Sequence, residues 1–225
     1  MKIALPVRFT GDSEEQQVFA ALNLEVGRTV FLLVDCDGDC GPLCNGVIEE
    51  HIAPALRAAR AVGIKGVFLY GEPLPDGGFS IAQELHHGRR GRQPAPATWR
   101  PSQPTWTESI APGEDEAIIG KCAQGGFGDS YLDRYLRAWG VENILAAGFS
   151  FKSCLFYTIA GAFERNYRVI LLRDGTDPPG SNEFPDTVDH SLPEKGWVRL
   201  VLTRLIEDHL GYSSTCRELI AACNG

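Results

Sequence analysis

Residues 28–35, Arg-Thr-Val-Phe-Leu-Leu-Val-Asp, run unbroken and apolar from Val30 to Val34 and stop at a carboxylate. A run without polar alternation makes a strand that must be buried on both faces. This requirement constrains the fold more than any other feature. A strand buried on both faces belongs inside a parallel sheet covered by helices, not in an open sheet with one wet face. The following residues agree. Segment 46–62, GVIEEHIAPALRAARAV, places Val47, Ile48, Ile52, Leu56, Ala59 and Val62 at helical spacing. Gly63 stands where a helix C-cap glycine belongs, and residues 64–70, IKGVFLY, read as the next strand.

The alternation resumes downstream. Residues 116–120 (EAIIG), 143–149 (NILAAGF) and 167–173 (YRVILLR) read as strands. Residues 130–139, 153–166 and 197–210 read as helices, 175–196 as a loop, and 214–222 as a last short helix or turn. The expectation is an α/β protein: a three-layer α-β-α fold around a central, mainly parallel sheet of Rossmann-type topology. Residues 1–225 are expected to form one domain. Segment 71–113 departs from the pattern, being rich in Gly, Pro and Arg, with HHGRRGR and QPAPATWRPSQPTW inside it. It reads as a long loop insertion, of the kind that forms lids or active-site walls.

A net charge of −8 repels phosphate backbones and anionic lipid, so neither nucleic acid nor membrane is expected as a partner. Pro6 and Arg8 interrupt the N-terminal apolar stretch short of signal-peptide length, and no apolar run reaches membrane-spanning length. A cytoplasmic location is the expectation. Seven cysteines at irregular spacing do not make a disulfide scaffold.

In parallel α/β sheets, sites form at the carboxyl ends of strands. Three chemically capable residues stand there: Asp35, Lys121 and Cys154, the last at the start of a helix after the strand ending near Phe149. A helix N-terminus and a nearby ammonium both favour a thiolate, and a carboxylate can carry its proton. Taken singly, each has a plainer explanation. A strand-end Asp caps turns, a lone Lys is solvated, and a Cys entering an apolar helix packs as a small core residue. Joint placement favours catalysis.

The residues carrying this placement resemble the isochorismatase-like hydrolase superfamily, in its cysteine hydrolase branch. VFLLVDCDGDC resembles the first motif, with Asp35 at the catalytic aspartate and Asp39 at the later acidic position; Asp37 and Cys40 replace residues usual there. IIGKCAQGGFGDS resembles the second, through Lys121, Phe127 and Ser130. AAGFSFKSCLFYTIAGAF resembles the third, with Cys154 at the nucleophile. The match covers roughly residues 28–175. The resemblance implies a catalytic triad of Asp35, Lys121 and Cys154, a cis Phe149–Ser150 peptide, and an oxyanion hole from the backbone amides of Ser150 and Cys154. It places Phe127, Phe149 and Phe151 at the substrate.

Cys154 points to hydrolysis of a C–N bond rather than of a vinyl ether, because members cleaving the ether lack the cysteine. The candidate substrates are small carboxamides, carbamoyl amines and ureido acids. No metal or other cofactor is expected. The Asp-x-His pair of metal-binding members is missing from LYGEPLPDGG, and adjacent His86 and His87 chelate one ion poorly. Cys36, Cys40 and Cys44 read as packing residues. Arg89, Arg90, Arg92 and Arg100 could bind a carboxylate or form a solvated face. Relatives are often dimers or tetramers, so a homodimer or homotetramer is expected. Two other readings stand beside the hydrolase: a binding or scaffold subunit of the same fold without activity, and a dinucleotide- or flavin-binding protein. The latter is weak, since GGFGDS offers glycines after a strand but no GxGxxG.

Overall fold

The computed structural model describes residues 1–13, 16–72, 103–178 and 197–225. Most of the predicted 71–113 insertion, including His86, His87 and the four arginines, lies outside the described residues, as do residues 179–196 of the predicted 175–196 loop.

Eight strands form one sheet: β1 (Lys2–Thr10), β2 (Gln17–Glu25), β3 (Thr29–Val34), β4 (Lys65–Gly71), β5 (Ala117–Lys121), β6 (Asn143–Gly148), β7 (Arg168–Thr176) and β8 (Tyr212–Ser214). Their spatial order is β2-β1-β8-β7-β6-β3-β4-β5. From β8 to β5 every pairing is parallel, and only β1 pairs antiparallel, with β2 and β8. Among the described residues the α-helices are α1 (Pro42–Val47), α2 (Ala53–Ala61), α3 (Leu132–Ala138), α4 (Phe156–Glu164), α5 (Trp197–Leu205) and α6 (Cys216–Asn224).

The apolar run ending at Val34 sits at the centre. Alternate side chains of a strand point to opposite faces, and β3 divides accordingly. Phe31 and Leu33 pack with Ile48, Ile52 and Leu56 on one side, while Val30, Leu32 and Val34 pack with Leu132, Leu155 and Ile159 on the other. All six β3 residues are buried. Burying one such side chain is worth about 1.5–3 kcal/mol, so a polar substitution here would cost a sizeable share of a domain's margin of about 5–15 kcal/mol.

The chain leaves β3 towards β4 and β5, then returns to β3's other side for β6, β7 and β8. The space between the carboxyl ends of β3 and β6 is therefore a topological switch point, where loops diverge and leave a crevice.

Three departures from the sequence reading have physical causes. The helix expected over 46–62 starts at Pro42 and is two helices joined by a π-helical turn, Ile48–Ile52. Pro54 explains the turn: it lacks an N–H and crowds the preceding carbonyls, so the ladder widens just before it. The helix expected over 197–210 ends in a π-helical turn, Ile206–Leu210, and the one expected over 153–166 begins in a kinked turn, Phe151–Leu155, in which Ser153 is non-helical. The β1–β2 hairpin and the short β8 were not predicted. In β1, Ile3, Leu5 and Val7 alternate inward, and Pro6 offers its carbonyl to Ser214 Oγ at 2.6 Å.

Glu116, just before β5, is a buried anchor. Its carboxylate accepts from Arg60 Nε (2.9 Å) and Nη2 (2.5 Å), from Gly66 N (2.7 Å) and from Gly113 N (2.8 Å). Burial pushes its carboxyl up, but Arg60 and the two amides outweigh burial and hold it below the ordinary glutamate value. A depressed folded value contributes stability above the unfolded value of about 4.3, and that stability is lost as pH falls through the folded value. Glu116→Gln is expected to cost about 2 kcal/mol at neutral pH. Urea unfolding of both forms should show that difference shrinking below about pH 4.

Candidate active site

Asp35 is the residue after β3. Its φ of 49° is left-handed, a conformation uncommon outside glycine. Its amide donates to Leu69 O of the neighbouring β4 at 2.9 Å, which fixes the turn. Its carboxylate Oδ2 accepts from Lys121 Nζ at 2.9 Å. Lys121 is the last residue of β5, so a strand places its ammonium. The side chain of Lys121 is 3% exposed, against 24% for Asp35. Oδ1 of Asp35 is buried with no hydrogen-bond partner among the described residues.

Cys154 stands in the turn Phe151–Leu155 before α4 and is partly buried. Its thiol interacts with the Asp35 carboxylate and the Lys121 ammonium. The three predicted residues, 86 positions apart from first to second and further to the third, thus meet at one edge of the sheet.

The electrostatics differ from expectation in one respect. A helix start and an ammonium were expected to lower the Cys154 thiol, with a carboxylate carrying its proton. Instead, burial and then the Asp35 carboxylate push the Cys154 thiol above its ordinary value, outweighing the downward pull of Lys121 and Ser153. In such surroundings a base close to the sulfur assists formation of the thiolate. For Lys121, burial works against the charge, but Asp35 and then Cys154 outweigh it and hold the ammonium above the ordinary lysine value.

The β6 end shapes the floor. Gly148 has φ 119°, and a Cβ there would lie 2.1 Å from Val34 O, so no larger residue fits between β6 and β3. The Phe149–Ser150 peptide is cis. Phe149 N donates to Val34 O at 2.8 Å, and Ser150 O accepts from the amides of Ser153 (3.1 Å) and Leu155 (3.2 Å). Of the two residues whose amides were expected as oxyanion donors, Ser150 precedes this turn and Cys154 lies within it.

Asp177 was missed in the sequence. Buried after β7, its Oδ2 accepts from Ser150 Oγ (3.0 Å) and Phe151 N (2.7 Å) and so holds the turn from below. Thr176 Oγ1 adds a donor to Gly148 O at 2.8 Å. The signal was available: Asp177 follows a strand, as Asp35 does, but β7 runs on to Thr176 rather than stopping near Arg173.

The loop after β5 is tied to the same turn. Gly126 N donates to Thr158 Oγ1 at 3.0 Å, and the Thr158 hydroxyl donates to Cys154 O at 2.6 Å. Phe127, Phe149 and Phe151, expected at the substrate, are all core residues. Phe127 packs on Tyr167 (ring centroids 5.8 Å apart) beneath the Arg165 guanidinium, and Phe149 and Phe151 belong to cores on opposite faces of the sheet. All three are buried among core side chains next to the turns that carry the site.

Cys36 and Cys40 direct their sulfurs at backbone carbonyls, Cys36 at Val34 O (3.6 Å) and Cys40 at Asp35 O (3.8 Å) and Asp37 O (3.6 Å). Burial pushes the Cys36 thiol well up and the Cys40 thiol to about 11, so both stay protonated. Among the described residues, no group of three or more His, Cys, Asp or Glu is arranged to hold a metal ion. Nor, among them, is any helix long and apolar enough to cross a membrane.

A model of the Isochorismatase domain family matches residues 29–183. A ureidoacrylate amidohydrolase, RutB of Methylorubrum extorquens, is 27% identical over 166 residues, covering 68% of this chain and 67% of the relative. A cysteine hydrolase from Pseudomonas syringae pv. phaseolicola shares the fold with a TM-score of 0.72 at 24% identity, over 89% of this chain and 94% of that one. N-carbamoylsarcosine amidase from Thermoplasma acidophilum aligns with a TM-score of 0.54 at 22% identity, over 67% and 84% of the two chains.

Proposed function

The chain belongs to the Isochorismatase domain family, and from that premise we propose that it is a cysteine hydrolase cleaving a C–N bond of a small carboxamide, carbamoyl or ureido compound. The observation that carries this reading is the meeting of Asp35, Lys121 and Cys154 at the switch point. Relatives point the same way, one a ureidoacrylate amidohydrolase and one an N-carbamoylsarcosine amidase.

In this reading Asp35 takes the Cys154 proton, and Lys121 stabilises both the carboxylate and the nascent thiolate. The sulfur attacks the carbonyl carbon. The tetrahedral oxyanion is held by the amides of Ser150 and Cys154. The C–N bond breaks, ammonia or an amine leaves with the proton held by Asp35, and an acyl-cysteine thioester remains. Water, deprotonated by Asp35, hydrolyses it and restores the thiol. Asp177 is a positioning residue that keeps the Ser150 turn in place.

A homodimer or homotetramer belongs to this reading, and is supported by the exposed Leu200, Val201 and Leu205 on α5, an apolar face that assembly would cover. A cytoplasmic location does too, supported by the seven cysteines, all of them free, which a reducing compartment keeps as thiols.

The test is ammonia release from a panel of small carboxamides, carbamoyl amines and ureido acids. Release that requires Cys154 is the expected result. A panel that binds without turnover would instead favour the inactive binding or scaffold subunit.

A further inference from the structure

Two residues beside the nucleophile take no part in the steps above. Ser153 precedes Cys154, and its backbone (φ −142°, ψ −105°) interrupts the helical turn there. Its Oγ lies 2.7 Å from Gln124 Oε1 and 3.6 Å from Cys154 Sγ. Gln124 Oε1 lies 3.8 Å from the same sulfur. Hydroxyl, carboxamide oxygen and thiol thus form a closed triangle.

A serine hydroxyl has one proton and donates to one acceptor at a time. A neutral thiol is a weak acceptor, so in the resting site the Gln124 oxygen holds that proton. A thiolate is a charged acceptor, and hydrogen bonds to charged groups are roughly twice as strong as neutral ones. Ionisation of Cys154 therefore inverts the preference.

We propose that the Ser153 hydroxyl is a two-position donor: it rests on Gln124 Oε1 and turns to Cys154 Sγ as the thiol proton passes to Asp35. The hydroxyl keeps its own proton, and only its torsion changes. Gln124 competes with the sulfur for this donor, so it favours the protonated form. Ser153 is then a catalytic residue and Gln124 a positioning one. The inference rests on the proposed role of Cys154 but concerns only its ionisation.

The charged groups acting on the sulfur are Asp35 at the end of β3 and Lys121 at the end of β5. Asp37 interacts with both of these, Asp177 and Lys152 belong with the turn itself, and Arg199 of α5, which packs on the turn, donates to Arg173 O. The substitutions below leave all of them in place.

The test is the pH profile of Cys154 alkylation by iodoacetamide in the full-length protein, read by mass spectrometry of the Cys154 peptide. Ser153→Ala should move the midpoint up by about one pH unit, a roughly tenfold loss of rate below it. Ser153→Thr, which keeps a hydroxyl, should restore the wild-type midpoint. Gln124→Met should move it down. General loosening of the site would not give shifts of opposite sign. An unchanged midpoint in Ser153→Ala, or shifts in the same direction, would overturn the proposal. Circular dichroism checks folding; if Ser153→Ala does not fold, Gln124→Met decides alone, a downward shift supporting the proposal and any other result overturning it. Persistent hydrolysis by Cys154→Ala would defeat the functional reading whatever these midpoints do. Absent shifts alongside Cys154-dependent hydrolysis would defeat only this inference.

Discussion

Cys154→Ala is expected to lower turnover by at least about four orders of magnitude and to leave the fold intact. Removing a covalent nucleophile eliminates the pathway, and what remains is the modest rate that binding and oxyanion donors supply alone. The fold should tolerate the change because only a sulfur is lost from a partly buried site, with Leu155 and Ile159 still filling the core beneath. Cys154→Ser should be almost as inactive, since a hydroxyl beside Asp35 ionises far less readily than a thiol. Steady-state ammonia release with thermal unfolding as control measures both. Turnover within tenfold of wild type in either variant contradicts the assignment.

Asp35→Asn and Lys121→Met should separate stability, reactivity and turnover, which usually move together. Asp35→Asn leaves the Lys121 ammonium buried without its counter-charge, and breaking one side of a buried pair costs about 3–5 kcal/mol. Lys121→Met leaves Asp35, which is more exposed and keeps access to water, so the loss should be smaller, about 1–2 kcal/mol. The double variant should recover part of the larger loss, a coupling that denaturant unfolding of the four forms reads directly.

The thiol moves in opposite directions in the two variants. Asp35 pushes the Cys154 thiol up and Lys121 pulls it down. Asp35→Asn should therefore speed alkylation of Cys154 at neutral pH, and Lys121→Met should slow it. Both should lose hydrolysis, by about 10³–10⁴-fold for Asp35→Asn, because a reactive thiolate without a proton carrier cannot release an amine. Slower alkylation in Asp35→Asn would mean that the carboxylate does not face the sulfur.

Much of the fold was legible in the sequence because β3, β4, β6 and β7 are buried on both faces and therefore read as unbroken apolar runs. The β1–β2 hairpin was not. It lies at the sheet's edge, β2 carries exposed Phe19, Ala20 and Ala21, and Pro6 interrupts β1. β8 is three residues long and is held by its neighbours more than by its own pattern. The placement of Asp35, Lys121 and Cys154 could be read because one rule governs strand ends. The direction of the thiol shift could not, because it depends on burial and on a carboxylate 119 positions away in sequence. The core placement of Phe127, Phe149 and Phe151 also follows from packing across the sheet, which a motif does not encode.

The central claim is that a substrate carbonyl becomes bonded to one particular sulfur. Intact-protein mass spectrometry after rapid mixing with a turned-over amide, quenched in acid, tests it most directly. The predicted result is a mass increase equal to the acyl or carbamoyl fragment, mapped to the Cys154 peptide and missing from Cys154→Ala. An adduct on another residue, or unmodified Cys154 during steady turnover that Cys154→Ala sustains, would contradict it.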